Sequence, residues 1–243
     1  MKRALAWLII TLAVGGGIWF GFLRRPAPQR DALHVREIAA RGLAEFLAGH
    51  HPGARALILS NPFTQQSSLP REMRDMEEAG VRGVKSGLGA KARPIVVFPE
   101  LKAGALENPR GVYIDAESTT PLSYLVAEDA FDKLADQHRD CGIVVSLIGL
   151  PVNLGRVRCW QDKDGPKFAL LLPDLRIIGN RAAVRRAFES GKLLAFVAAK
   201  PGAAIDQKSS GDFNAEFERQ FVLVTRDKLE STLRMFPQLF PPN

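Results

Sequence analysis

Cysteine is scarce: the 243 residues hold two, Cys141 and Cys159, with no Cys-x-x-Cys pair and no histidine at a ligand interval from either. That excludes a thiolate metal site and a disulfide-rich scaffold, and no metal is expected. The two can still pair with each other in an oxidising compartment, closing a loop worth about 3 kcal/mol in the chain-entropy model. Two unpaired buried thiols are the alternative. Cofactor fingerprints are missing as well. No Gly-x-Gly-x-x-Gly follows the first strand, and Lys85-Ser86-Gly87 lacks the glycine spacing of a phosphate loop. No Gly-x-Ser-x-Gly turn exists: Ser146 sits inside an apolar run, where a hydroxyl bonds backbone. No cofactor is expected.

Acidic residues are missing from positions 1–30, where Lys2, Arg3, Arg24, Arg25 and Arg30 carry five charges of the net +7, leaving +2 for the rest. The excess therefore flanks a hydrophobic segment instead of forming a stripe, and no nucleic-acid partner is expected. The segment, from Ala4 to Leu23, has twenty uncharged residues. At 1.5 Å per residue it spans about 30 Å, the thickness of a bilayer core. Trp7 and Trp19 stand toward its ends, where amphipathic rings prefer to lie. The expected organisation is a transmembrane anchor at 1–23, a proline-containing linker at 24–30 and an extracytoplasmic domain at 31–243. The expected location is the cell membrane, single-pass, with the lipid bilayer as partner through Ala4 to Leu23. A cleaved leader competes with this, although Ala27, between two prolines, makes a poor cleavage site.

Short apolar runs separated by helical patterns fill the remainder. Residues 142–151, GIVVSLIGLP, are nearly continuous and of strand length, the pattern of a strand buried on both faces of a parallel sheet. Other strands are expected at 55–59, 94–98, 167–172, 192–199 and 221–225, with helices at 31–48, 70–88, 121–138, 181–190 and 227–236. Gly80, Gly83, Gly87 and Gly89 weaken the helix at 70–88, and its charges, Glu77 among them, read as a solvated face. The alternation implies an α/β three-layer sandwich with a mostly parallel central sheet of five to six strands and right-handed crossovers.

From residue 36 to 102 the order REIAARGLAEFLAGHHPG, ALILSNP, RGVKSGLG and PIVVFPEL resembles the ligand-binding fold of type I periplasmic binding proteins and lactose-repressor-like regulators. VVSLIGLP, AFESGKLLAFVAAKPG and FVLVT occupy comparable later places. The resemblance implies the layered fold and a ligand. The chain departs from that family in holding about one sheet where the family has two lobes around a cleft. Its sugar-stacking aromatic residues have no clear match, Trp160 being the only tryptophan beyond residue 19.

In an open parallel sheet, ligands gather beyond the carboxyl ends of the strands. That rule nominates Ser60, Asn61 and Thr64 after the first strand, Glu100 after the second, Asn153 after the third, Asp174 and Arg176 after the fourth, Lys200 after the fifth and Arg226 after the sixth. Such a rim suits a small polar molecule. Asp115 with Glu117, and Asp136 with His138 and Asp140, read more simply as an exposed loop and a helix end than as acid–base or metal sets. The expected function is a membrane-anchored, non-catalytic binding or assembly module serving a small polar ligand or a membrane-protein partner. The alternatives are a membrane-tethered hydrolase or transferase, and a secreted solute-binding protein with a cleaved leader.

Overall fold

The computed structural model describes residues 27–89, 92–203 and 211–242, with side chains from residue 31 onward. Its strands are β1 (Ala56–Leu59), β2 (Ile95–Val97), β3 (Ile143–Ser146), β4 (Lys167–Leu171), β5 (Leu193–Ala199) and β6 (Phe221–Thr225). Its helices are α1 (Ala27–His50), α2 (Arg71–Leu88), α3 (Leu122–Leu125), α4 (Ala130–Gln137), α5 (Arg158–Gln161), α6 (Arg181–Glu189), α7 (Phe213–Gln220) and α8 (Leu229–Met235). The strands form one sheet in the order β2-β1-β3-β4-β5-β6. The first five run parallel, Leu57 lying between Ile95 and Val144. β6 runs antiparallel to β5, with Thr225 opposite Ala195 and Phe221 opposite Ala199.

The chain steps outward from β1 to β2 and then returns past β1 to β3, β4 and β5. Right-handed crossovers in opposite directions put helices on opposite faces. Ile58, Val145, Leu171 and Val197 pack under α1, α2 and α7, while Leu57, Val144, Leu170 and Phe196 pack under α4, α6 and α8. Burial on both faces is why these strands read as continuous apolar runs.

The glycines of α2 do not end it. They form its contact with α1: a Cβ on Gly83 would fall 2.3 Å from the Glu37 carbonyl oxygen, and one on Gly87 would fall 2.5 Å from that of Arg41. Bare glycines let the backbones meet over Ala40 and Ala44, so the local propensity penalty is repaid in packing. Two other expected elements are shorter in the fold. β3 stops at Ser146, whose hydroxyl donates to the Gly149 carbonyl at 2.5 Å, and the chain turns at Gly149 with φ +85°. The expected helix at 121–138 is two pieces, because Val126 is extended and bridges Leu101, with Lys102 N–H donating to Leu125 O and Ala127 N–H to Glu100 O.

At the start of β5, Lys192 is 7% exposed, and its ammonium donates to the carbonyls of Cys159, Asp162 and Pro166 at 3.1, 2.5 and 3.2 Å. It clamps the turn between α5 and β4. Burial holds its pKa below the ordinary lysine value, with the nearby Cys159 and Asp162 offsetting part of that. The native chain thus releases this proton before the unfolded chain does, and stability rises as pH climbs from the lowered value to the ordinary one near 10.4. Lys192→Met is expected to lose about 2 kcal/mol in urea unfolding near neutral pH, through three carbonyls left unpaired, and to lack that alkaline rise.

One expectation is corrected. Among the described residues no helix is long and apolar enough to cross a membrane, and the expected anchor from Ala4 to Leu23 lies outside the described residues. The described fold is the α/β sandwich alone. The expected transmembrane helix, signal anchor, bilayer partner, single-pass location and membrane-anchored function are therefore without support in the described fold. The expected linker at 24–30 is also shortened, since α1 already begins at Ala27.

Candidate functional site

Five parallel strands place their carboxyl ends on one edge, and most nominated residues gather there. Ser60 and Asn61 are buried directly after β1, and Asn61 Oδ1 accepts from Phe63 N–H at 3.0 Å. The Thr64 hydroxyl donates to Asn61 O at 2.6 Å. Glu100 is turned outward in an ion pair with Lys133 at 2.7 Å. Asn153 donates to Glu128 O at 3.1 Å on the surface. The Lys200 ammonium donates to Glu218 O. Arg226 lies on the opposite edge, because β6 runs against β5 and its carboxyl end sits beside the amino half of β5.

The rim is not one continuous site. Residues 98–126 leave β2 and cross the carboxyl edge: Ser123 Oγ donates to Ile148 O at 3.4 Å, and Ser118 Oγ to Asp174 Oδ2 at 3.1 Å. Gly149 makes room for this crossing, since a Cβ there would meet Ser123 Oγ at 2.8 Å and Thr120 Cβ at 2.9 Å. The crevice between β1 and β3, where the strand order reverses and a ligand would be sought first, is bridged by the chain itself. Arg36 of α1 reaches Glu77 of α2 at 2.7 Å and the Leu147 carbonyl at 3.4 Å, and Ser60 Oγ donates to Glu77 at 3.3 Å. Burial raises the Glu77 pKa above the usual carboxylate value despite Arg36 and the hydrogen bonds from Ser60 and Asn61.

An opening remains beyond β4 and β5, a cavity of about 530 Å³. Leu175, Phe196, Leu239 and Phe240 line it, with Glu117, Thr119, Asp174 and Arg176 also on its wall. Leu172 takes φ +47° at the end of β4, a left-handed turn unusual for a branched side chain. Asp174 follows, its side chain 5% exposed, and holds Arg176 in a fork, Nε to Oδ1 at 2.9 Å and Nη2 to Oδ2 at 2.8 Å. The third nitrogen, Nη1, donates to Glu117 at 3.1 Å and stands 3.6 Å from Asp115. Burial would raise the Asp174 carboxyl, but the hydrogen bonds and charge of Arg176 outweigh it and hold the pKa below the usual range. Tyr124 is shifted upward by burial and by Asp115 and Asp174, so its phenol stays neutral.

The sequence places Asp174 and Arg176 after the fourth strand, and both lie on this cavity's wall. The sequence leaves Asp115 and Glu117 in a loop, and the fold brings them onto Arg176 from some sixty residues away. It also leaves Glu77 on the solvated face of its helix. The signal was present: Glu77 precedes Gly80, Val84 and Gly87 by three, seven and ten residues, the spacing of one helical stripe.

On the opposite edge, Cys141 and Cys159 are free, buried thiols lining one shallow cleft. Burial raises both pKa values, and with the Asp132 carboxylate beside it Cys159 is pushed up to about 12. Both are therefore protonated at neutral pH and poor nucleophiles.

No family model matches the chain, and no curated protein matches it. Several solved structures do, at low identity. A carbohydrate transporter from Acidothermus cellulolyticus 11B, in complex with myo-inositol, has a TM-score of 0.45 at 10% identity over 84% of this chain and 62% of its own. A galactofuranose binding protein gives 0.43 at 11%, over 84% and 63%. A sugar-binding protein of a sugar ABC transporter from Bacillus halodurans gives 0.41 at 12%, over 81% and 64%. The chain thus spans less than two thirds of their lengths. Likeness of this degree identifies neither a family nor a ligand.

Proposed function

We propose that this chain is a non-catalytic binding module that takes a small polar molecule in the cavity beyond β4 and β5. The observation that supports it is the Arg176 guanidinium, held flat by Asp174 on the wall of an apolar-lined cavity. A donor group fixed before the ligand arrives loses little freedom on binding. Glu117, which is largely exposed, and the Thr119 hydroxyl supply acceptors, and Phe196, Leu239 and Phe240 supply contact with an apolar face. Fixed donors, a few acceptors and apolar walls are the usual make-up of a small-molecule site.

Thermal unfolding of the full chain against sugars, amino acids and nucleotides tests this. A ligand at a hundred times its Kd stabilises by about 2.7 kcal/mol, or roughly 5–10 °C in a chain of this size. For the ligand so found, Glu117→Gln and Arg176→Met are each expected to weaken binding at least tenfold while circular dichroism is retained. No shift across the panel, or unchanged affinity in both variants, would contradict the reading.

A further inference from the structure

A second opening lies on the flank of the sheet, between the side of α2 and the outer edge of β2, with a volume of about 460 Å³. It stands apart from the cavity beyond β4 and β5, separated by β1, β3 and the crossing segment. Val81, Val96 and Phe98 give it an apolar floor, and Thr64 and Arg74 lie toward the end where α2 begins. The Arg74 side chain is only partly satisfied. Its Nη2 makes three long contacts to the carbonyls of Gln66, Ser67 and Leu69, at 3.4, 3.4 and 3.2 Å. Its Nε is buried and has no partner. A buried guanidinium N–H left without an acceptor is costly, and a bound acceptor would relieve it.

The charge balance gives the sign of that acceptor. Arg74, Arg82 and Lys85 face Glu77 and Glu78 across the lining. Glu77 is already neutralised from behind by Arg36, and Arg82 is shared between Glu37 at 3.4 Å and Glu78 at 4.0 Å, which leaves Arg74 and Lys85 as the cations of the lining. Lys85 has no ion pair among the described residues. The lining is therefore net cationic, beside an apolar floor.

We infer that this flank cleft is a binding site for a small organic acid with an aromatic or branched apolar body. The carboxylate accepts from the Arg74 guanidinium on the cleft wall, and the body lies on Phe98, Val96 and Val81. The inference is independent of the cavity beyond β4 and β5.

Isothermal titration of the full chain with phenylacetate and with isovalerate, each beside its uncharged amide, tests it. Saturable binding of at least one acid is expected, with its amide at least tenfold weaker. Arg74→Met is expected to weaken the acid tenfold or more. Because Arg74 also holds the 66–69 turn, Phe98→Ala provides a variant that leaves the turn intact, and it is expected to weaken binding severalfold. Arg176→Met is expected to leave it unchanged. The inference is overturned if neither acid saturates by about 10 mM, a range that covers even weak small-ligand affinities. It is equally overturned if amide and acid bind alike, if Phe98→Ala binds as the native chain does, or if Arg176→Met alone abolishes binding.

Discussion

Gly83→Val is expected to destabilise the fold by at least about 3 kcal/mol, a fall of roughly 6–12 °C in melting temperature. The position has no room. The first added carbon would sit 2.3 Å from the Glu37 carbonyl oxygen and 2.9 Å from Ala40 Cβ. A backbone carbonyl inside a helix cannot rotate away, so α1 and α2 must separate, and the layer over Ile58, Val145 and Val197 loosens with them. Gly49→Ala is the control, since nothing lies within 4 Å of a Cβ there. With no clash and less freedom in the unfolded chain, it is expected to be neutral or to stabilise by up to about 1 kcal/mol. Urea unfolding followed by circular dichroism compares them. Equal stability of Gly83→Val and the native chain would mean the helices are not in contact at these glycines.

The second large effect is at the bridged crevice. Arg36→Met leaves the Glu77 carboxylate, whose side chain is 12% exposed, without its cation, and the expected loss is about 3–5 kcal/mol at neutral pH. The pH dependence separates charge from packing. Glu77 titrates above the ordinary carboxylate value in the native chain. Between those two values the unfolded chain releases its proton first, so stability falls as pH rises through that window and levels off above it. Removing Arg36 takes away an influence that lowers the native pKa, which extends the window upward. The deficit of Arg36→Met is therefore expected to shrink toward pH 4 and widen toward pH 7. Adding Glu77→Gln to that variant is expected to recover most of the loss, because no buried charge remains. A deficit equal at both pH values and not relieved by Glu77→Gln would assign the effect to lost packing.

The two experiments mark where local and tertiary readings part. In the sequence Gly80, Gly83 and Gly87 argue against a helix and Glu77 argues for a wet surface. Each is correct for an isolated segment. Packing of α1 against α2 reverses both, because close approach needs residues without side chains and the same stripe carries Glu77 inward to Arg36.

By itself the sequence determined the layered architecture. Runs such as ALIL, IVVS and KFALL hold too little polarity to face water, so they become strands covered on both sides, and the helical patterns between them supply the covers. Asp174 and Arg176 were also legible, since a Pro-Asp-x-Arg step after a buried strand marks its carboxyl end. Only the tertiary structure decided the direction of β6, which moves Arg226 to the far edge, and the path of residues 98–126 across the rim. Strand direction and the landing place of a long connection depend on contacts between residues far apart in the chain. Glu117 on Arg176 and Ser123 on Ile148 are such contacts, and no local pattern encodes them.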